Sequence, residues 1–247
     1  MITEYKLYNG EVTIGFDEAR HRFYGEDGKP MLSVTGATGV VDKSAPLMGW
    51  VAKSMALYLL AERDKGNKII TEALVGRAKR EYRQISKEAA NLGTEIHEWV
   101  SDWILKKNPE MPMNEKVVNG ITAFLKFQKE NKFKWIDSER LVYSRKYKYA
   151  GWLDATAMEG NSFNLVDFKS GNGLYDDMRF QVAGYRLAYE EETGKRFDKN
   201  ILIRFGKETG EFYPHILNDY AKDKKAFLNC LALKKRLQEL NVKKPKK

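Results

Sequence analysis

Apolar positions recur along this chain with two periods, and the change between them divides the sequence. Residues 4–25 carry short alternating runs that predict strands, and Tyr24-Gly25-Glu26-Asp27-Gly28-Lys29-Pro30 is a turn cluster. Leu32-Ser33-Val34-Thr35 precedes a stretch bearing Gly36 and Gly39. Ser44 and Pro46 fit the cap and first turn of a helix whose stripe, Leu47, Trp50, Val51, Met55 and Tyr58, keeps the helical period. A second helical region is predicted from about Thr71 to Leu105 with one break, polar through Glu88 and then small and apolar around Ala89, Ala90, Leu92 and Gly93. A third runs from about Asn114 to Lys129 through Val117, Ile121, Phe124 and Leu125.

From Phe133 onward the period drops to two. Trp135, Leu141, Val142 and Tyr143 predict a strand, and two more follow around Gly151–Asp154 and Phe163–Lys169. The connection between these two, Glu159-Gly160-Asn161-Ser162, is a good hairpin turn. Residues 179–192 are helical in pattern. Ile201–Phe205 and Glu211–Leu217 form a strand pair about Gly206-Lys207-Glu208-Thr209-Gly210, and a final helix from about Asp219 to Leu240 packs through Phe227, Leu231 and Leu237. The expected architecture is an α/β core with a helical N-terminal half, without an internal linker.

At 247 residues the chain can bury a full core, and the expectation is one domain over 1–247. The single cysteine, Cys230, excludes an internal disulfide and a four-cysteine zinc or iron–sulfur site; a buried thiol on a helix is its default reading. No apolar stretch is long enough to cross a membrane, so the expectation is a soluble, intracellular protein with a cytoplasmic location and no membrane partner. The net charge of +9 is uneven: residues 221–247 hold ten Lys or Arg against two acids. Residues 241–247 read as a flexible basic tail, either a solubility feature or a contact for a polyanion such as DNA.

Chemistry concentrates where the period is two. Phe163, Leu165, Asp167 and Lys169 share a strand face, so two charges end a mostly apolar strand. The hairpin brings Asp154 beside Asp167, and two such carboxylates repel unless a cation lies between them. Mg²⁺ or Mn²⁺ with a phosphodiester would suit two carboxylates and an amine; a structural ion pair is the plain alternative. His97, late in the second helical region, is one of only three histidines and is either a Mn²⁺-compatible ligand or a packed residue. Gln181 and Tyr185 lie i, i+4 on one helix face beyond Lys169. Tyr143, Arg145, Tyr147 and Tyr149 would share a face if their segment is a strand, as a platform for unpaired bases or as a solvated edge. Glu139, upstream, is either a further acidic site residue or the partner of a surface cation.

The ordered series Gly93…His97, Gly151…Asp154, Asp167-Phe168-Lys169 and Gln181…Tyr185 resembles the PD-(D/E)-x-K nuclease superfamily. Within it the chain is similar to the RecB-type exonuclease branch, which includes Cas4 proteins, the mitochondrial genome maintenance exonuclease and phage enzymes. Ser33-Val34-Thr35 followed by Leu47 and Trp50 is similar to a stretch of the mitochondrial and phage members. The resemblance covers about residues 30–190 and implies a restriction-endonuclease-like core, with a mixed central sheet flanked by helices. It also implies that His97, Asp154, Asp167 and the carbonyl of Phe168 hold Mg²⁺ or Mn²⁺. Lys169 would orient or deprotonate the attacking water, its pKa lowered by burial beside the metal, and Gln181 would position that water. Tyr185 would pack or contact substrate, and Thr35 would lie on the nucleic-acid side. Leu153 replaces the proline of the superfamily name, and the four iron–sulfur cysteines of Cas4 are absent.

These features together predict a metal-dependent DNA nuclease, an exonuclease acting on DNA ends or single strands in phage or bacterial recombination, repair or replication. A structure-selective endonuclease, an RNase, and a non-catalytic nucleic-acid-binding protein that kept the fold are the alternatives.

Overall fold

The computed structural model of the protein describes residues 1–67, 69–171 and 173–242, with Val242 described for its backbone alone. The chain divides into two compact units, Met1–Val41 with Ile96–Lys247, and Asp42–Glu95. The expected basic tail, 241–247, lies outside the described residues from 243 onward.

The larger unit is built on a mixed sheet flanked by helices. Its strands are β1 (Ile2–Leu7), β2 (Val12–Asp17), β3 (Arg22–Tyr24), β4 (Pro30–Ser33), β5 (Lys134–Ser144), β6 (Tyr149–Glu159), β7 (Ser162–Lys169), β8 (Lys199–Phe205) and β9 (Phe212–Leu217). Its helices are α1 (Val34–Thr38), α4 (Glu115–Asn131), α5 (Asp176–Thr193) and α6 (Tyr220–Val242), with the C-terminal part of α3 (Glu72–Ile104). The other unit contains α2 (Ser44–Asp64) and the rest of α3.

Local chemistry explains several boundaries. Ser33 caps α1, its hydroxyl accepting from Gly36 N at 2.8 Å, and Asn114 caps α4 by accepting from Lys116 N at 3.0 Å. Ser44 is itself the first residue of α2, and Asp42 two residues earlier accepts its N–H at 2.8 Å. The break expected between residues 71 and 105 is absent: α3 is continuous over 33 residues, because Gly76 and Gly93 are tolerated singly inside a long helix. Along α2, Trp50, Val51, Met55 and Tyr58 are half-buried while Leu47 stays exposed, and Trp50 meets Tyr82 edge-on at 6.2 Å. On α6, Phe227 and Leu231 are buried, but Leu237 lies one turn past the end of the covered face and is exposed. Cys230 is half-buried.

The sheet runs β1-β2-β3-β4-β6-β7-β8-β9, with β5 on the other edge of β6. β5–β6, β6–β7 and β8–β9 are antiparallel, and β4–β6 and β7–β8 are parallel. One consequence matters for function. β4 and β7 share one edge of β6: β4 pairs with Tyr149 and Ala150, whereas β7 pairs from Ala155 to Glu159. Gly151–Asp154 therefore lies at a fork, and Asp167, Phe168 and Lys169 continue in register with β8 alone. Such splits leave backbone groups without a ladder partner, and side chains or ligands must satisfy them.

Aromatic packing holds the fork in place. Phe124 of α4, Phe168 of β7 and Phe205 of β8 are fully buried, with ring centroids 5.4–6.1 Å apart. Each contributes about 1.5–3 kcal/mol by burial. α5 packs on β5 and β6 and against α6, where Tyr149 meets Phe227 at 4.9 Å. Gly151 admits a close approach at the fork: a Cβ there would stand 2.7 Å from Tyr185 Cε1 and 3.0 Å from Val34 Cγ2. Both neighbours are buried and cannot retreat, so Gly151→Ala should cost about 1–3 kcal/mol. In a thermal melt this is a fall of several degrees; an unchanged melting temperature would show that the approach is not rigid.

Candidate active site

β6 and β7 bring the candidate carboxylates together just beyond the last pair of their backbone ladder, Ala155–Val166. By extension of the Ala155–Val166 pair, Asp154 and Asp167 stand opposite each other, as the hairpin predicted. Asp154 takes over a missing ladder bond: its Oδ2 accepts from Phe168 N at 2.7 Å. Asp167 is 1 % exposed, and its Oδ1 receives no hydrogen bond among the described residues. Its Oδ2 faces Lys169 Nζ at 2.5 Å, so the shared strand face places that pair as expected. Gln181 of α5 approaches Lys169 Nζ at 3.5 Å and donates to the Tyr185 hydroxyl at 2.8 Å. Tyr185 is buried against Gly151, which makes it a packing residue behind the site.

His97 reaches the same place from α3. Its Nδ1 lies 3.7 Å from Asp154 Oδ2, and its ring meets Phe168 edge-on at 6.2 Å. Ligand atoms of His97, Glu139 and Asp154 lie within 4.8 Å of one another. Glu139 thus stands beside His97 and Asp154. It sits on β5 between the pairs Ser138–Ala155 and Arg140–Leu153, opposite Asp154, and its backbone is left-handed with φ +48°. A non-glycine residue with that conformation inside a strand costs on the order of 1 kcal/mol or more, and such strain clusters at functional sites.

Burial and mutual repulsion set the ionisation. Burial first, with Asp154 adding repulsion, holds the Asp167 carboxyl up at about 6 even though Lys169 opposes the shift. Asp154 is likewise raised, mainly by burial. Glu139 is pushed up to about 8 by burial, then by Asp154, Asp167 and Glu98. Its residue surface is exposed, so solvent weakens the burial effect, and the three like charges keep the direction upward. Burial, then Lys169, brings His97 down to about 4, so its imidazole is neutral near pH 7. The expected lowering of Lys169 is not met in the metal-free site. Burial does push the ammonium down, but Asp167 and Asp154 outweigh it and the net shift is upward.

These groups fit a divalent cation. A neutral imidazole and carboxylate oxygens converge, one buried carboxylate oxygen lacks a donor, and the clustered acids resist ionising without added positive charge. The mixed nitrogen and oxygen donor set suits Mn²⁺, and an oxygen-rich remainder with water suits Mg²⁺. With one cysteine in the chain there is no four-cysteine iron–sulfur cluster.

The proposed base-stacking platform takes a different form. Residues 145–148 are a turn joining β5 to β6, so the period-two face does not exist there. Tyr143 and Tyr149 are buried in the core, because the tyrosines flanking a tight hairpin turn point into the packed layers. Tyr147 is half-buried. Arg145 pairs with Glu11 at 2.9 Å and lies over the Tyr8 ring at 4.3 Å. Thr35 is exposed at the start of α1, its hydroxyl 3.1 Å from that of Ser33.

Fold and site together define an α/β protein with a cation-ready carboxylate–imidazole cluster at a sheet fork. No family model matches the chain, and no curated protein matches its sequence. Among solved structures it is similar to an alkaline exonuclease, LHK-Exo, from Laribacter hongkongensis, with 13 % identity and a TM-score of 0.38 over 86 % of this chain and 94 % of that one. The same enzyme in complex with dAMP gives 14 % identity and a TM-score of 0.37. A protein described as SSO0001 gives 16 % identity and a TM-score of 0.30, over 49 % of this chain and 62 % of its own length. No helix among the described residues is long and apolar enough to cross a membrane.

Proposed function

We propose that the protein is a divalent-metal-dependent deoxyribonuclease that hydrolyses phosphodiester bonds in DNA, with residues 1–247 acting as one functional domain. The carrying observation is the convergence of His97, Glu139 and Asp154 beside the Asp167–Lys169 pair at the fork of β6. His97, Glu139, Asp154 and Asp167 would hold Mg²⁺ or Mn²⁺, with the Phe168 carbonyl beside them. When bound, the ion supplies Lewis acidity toward the phosphate and lowers the pKa of water.

The chain's own groups divide the remaining work. Lys169 stays protonated while Asp167 and Asp154 are ionised, so it offers a fixed positive charge to a phosphate oxygen and a donor that orients water. Gln181 restrains the Lys169 head and is itself tied to Tyr185. Asp154 gains its orientation from the Phe168 N–H. An exonuclease acting on DNA ends or single strands, in phage or bacterial DNA metabolism, is the specific form of this reading.

The test uses 5′-labelled and 3′-labelled single-stranded, duplex and circular DNA with Mg²⁺ or Mn²⁺. Linear DNA should be degraded to short products and circles should survive. Cleaved circles would replace the exonuclease reading by an endonuclease. No cleavage of any DNA with either ion would remove the nuclease reading, and cleavage of RNA alone would move it to ribonuclease.

A further inference from the structure

A second feature lies in the Asp42–Glu95 unit and has no role in the chemistry above. Arg77, Arg80, Arg83, Gln84 and Lys87 of α3 fall within about 120° of helical arc. That arc is opposite the packed side, where Leu74 and Ala78 are buried and Tyr82 meets Trp50. The four cations are exposed. Together with Tyr58 of α2 and Glu81 they line a shallow groove of about 420 Å³.

A row of basic residues on a helix is often no more than a solvated face. Here the pairing pattern argues otherwise. In the same unit Arg63 pairs with Asp64 at 2.9 Å and Lys65 with Glu62 at 3.0 Å. Arg77, Arg80, Arg83 and Lys87 form no ion pair among the described residues. Arg83 instead donates from Nε to the Tyr82 hydroxyl at 3.1 Å, and Gln84 donates to Glu88 at 2.7 Å. Glu81 is the sole acid lining the groove. Four cations thus stand along about 15 Å of helix, beside a phenol, with no ion-pair contact among the described residues, although Arg77 is near enough to Glu62 to help lower that carboxyl.

We propose that this groove holds the sugar–phosphate backbone of a nucleic-acid single strand, with Arg77, Arg80, Arg83 and Lys87 on successive phosphates and Tyr58 available to a base. The choice of ligand rests on the nuclease reading, and charge complementarity supports it. Unpaired cations interleaved with an aromatic ring suit a single strand, where the backbone gives affinity and base faces give stacking.

The experiment uses the full chain in EDTA with a fluorescent oligothymidylate, comparing wild type with the quadruple variant R77A/R80A/R83A/K87A. The variant should bind at least about tenfold more weakly at moderate salt. The slope of log K against log salt should shrink by about 2, as for loss of about three single-strand phosphate contacts. Circular dichroism and a melt check the fold; should the quadruple variant unfold, R80E/K87E reads the same loss, and R77K/R80K/R83K should stay near wild type. Equal affinity and slope in a folded variant would overturn the proposal. So would poly-glutamate displacing the oligonucleotide at equal charge concentration, which would assign the face to an acidic protein. Hydrolysis of thymidine 5′-p-nitrophenyl phosphate with Mn²⁺ keeps the two readings apart. It engages only the metal site, so the variant should retain it. A wild type inactive on this ester and on DNA would fail the nuclease reading while the binding comparison still decides this one.

Discussion

Lys169→Met should lower DNA cleavage by about 10³-fold while the protein stays folded and still binds DNA in EDTA. Methionine keeps most of the side-chain volume and removes only the charge and the donors, so packing beside Gln181 changes little. The loss falls on chemistry because Lys169 is the cation nearest the carboxylate pair, 2.5 Å from Asp167. The fold should tolerate the change, since Asp167 already titrates at about 6 and can take up a proton once its partner is gone. Single-turnover cleavage with saturating Mn²⁺, alongside anisotropy in EDTA, separates the two effects. Retention of more than a tenth of wild-type turnover would show that Lys169 is a structural counter-ion.

Asp167→Asn should stabilise the metal-free protein at pH 8 by about 2 kcal/mol, a rise of about 4–8 °C in melting temperature. The sign follows from proton linkage. A carboxyl raised from 3.8 to about 6 binds its proton more tightly when folded than when unfolded. Its stabilising effect is present below about pH 4 and is lost as pH rises toward 6. Asparagine removes that loss. Glu139 acts the same way up to about pH 8. His97 acts oppositely: lowered from 6.5 to about 4, it gains stability as pH rises between those values and offsets the carboxylates there. The metal-free wild type should therefore weaken from about pH 4.5 to 8, with His97 offsetting only one of the carboxylates up to pH 6.5. Mn²⁺ should restore it at pH 8 and should help Asp167→Asn much less, because bound metal stabilises by mass action and the variant lacks one of the proposed ligands. A metal-free melt at pH 8 in which Asp167→Asn unfolds below wild type would refute the claim that these acids are held under repulsion.

Much of this site was legible in the sequence. Asp167 and Lys169 declared themselves as charges at the end of an apolar strand, and the two-residue Gly160-Asn161 connection set Asp154 beside Asp167. Gln181 and Tyr185 followed from helical spacing, and they do touch. Glu139 was only one of two readings, because no local signal marks a left-handed glutamate inside a strand: glycine or asparagine would have stood out. The aromatic turn before Gly151 misled because alternation in a seven-residue segment is the same whether the segment extends or reverses.

The sequence by itself determined the elements, their order and the residue types available for chemistry, since periodicity, caps and turns act between neighbours a few positions apart. Only the tertiary structure decided which acids converge, that His97 is neutral, that Lys169 keeps its proton, and that Tyr143 and Tyr149 are buried. Ionisation and burial are sums over groups from β5, β6, β7, α3 and α5. Those segments meet because one strand, β6, lends the same edge to two partners and leaves Gly151–Asp154 open between them.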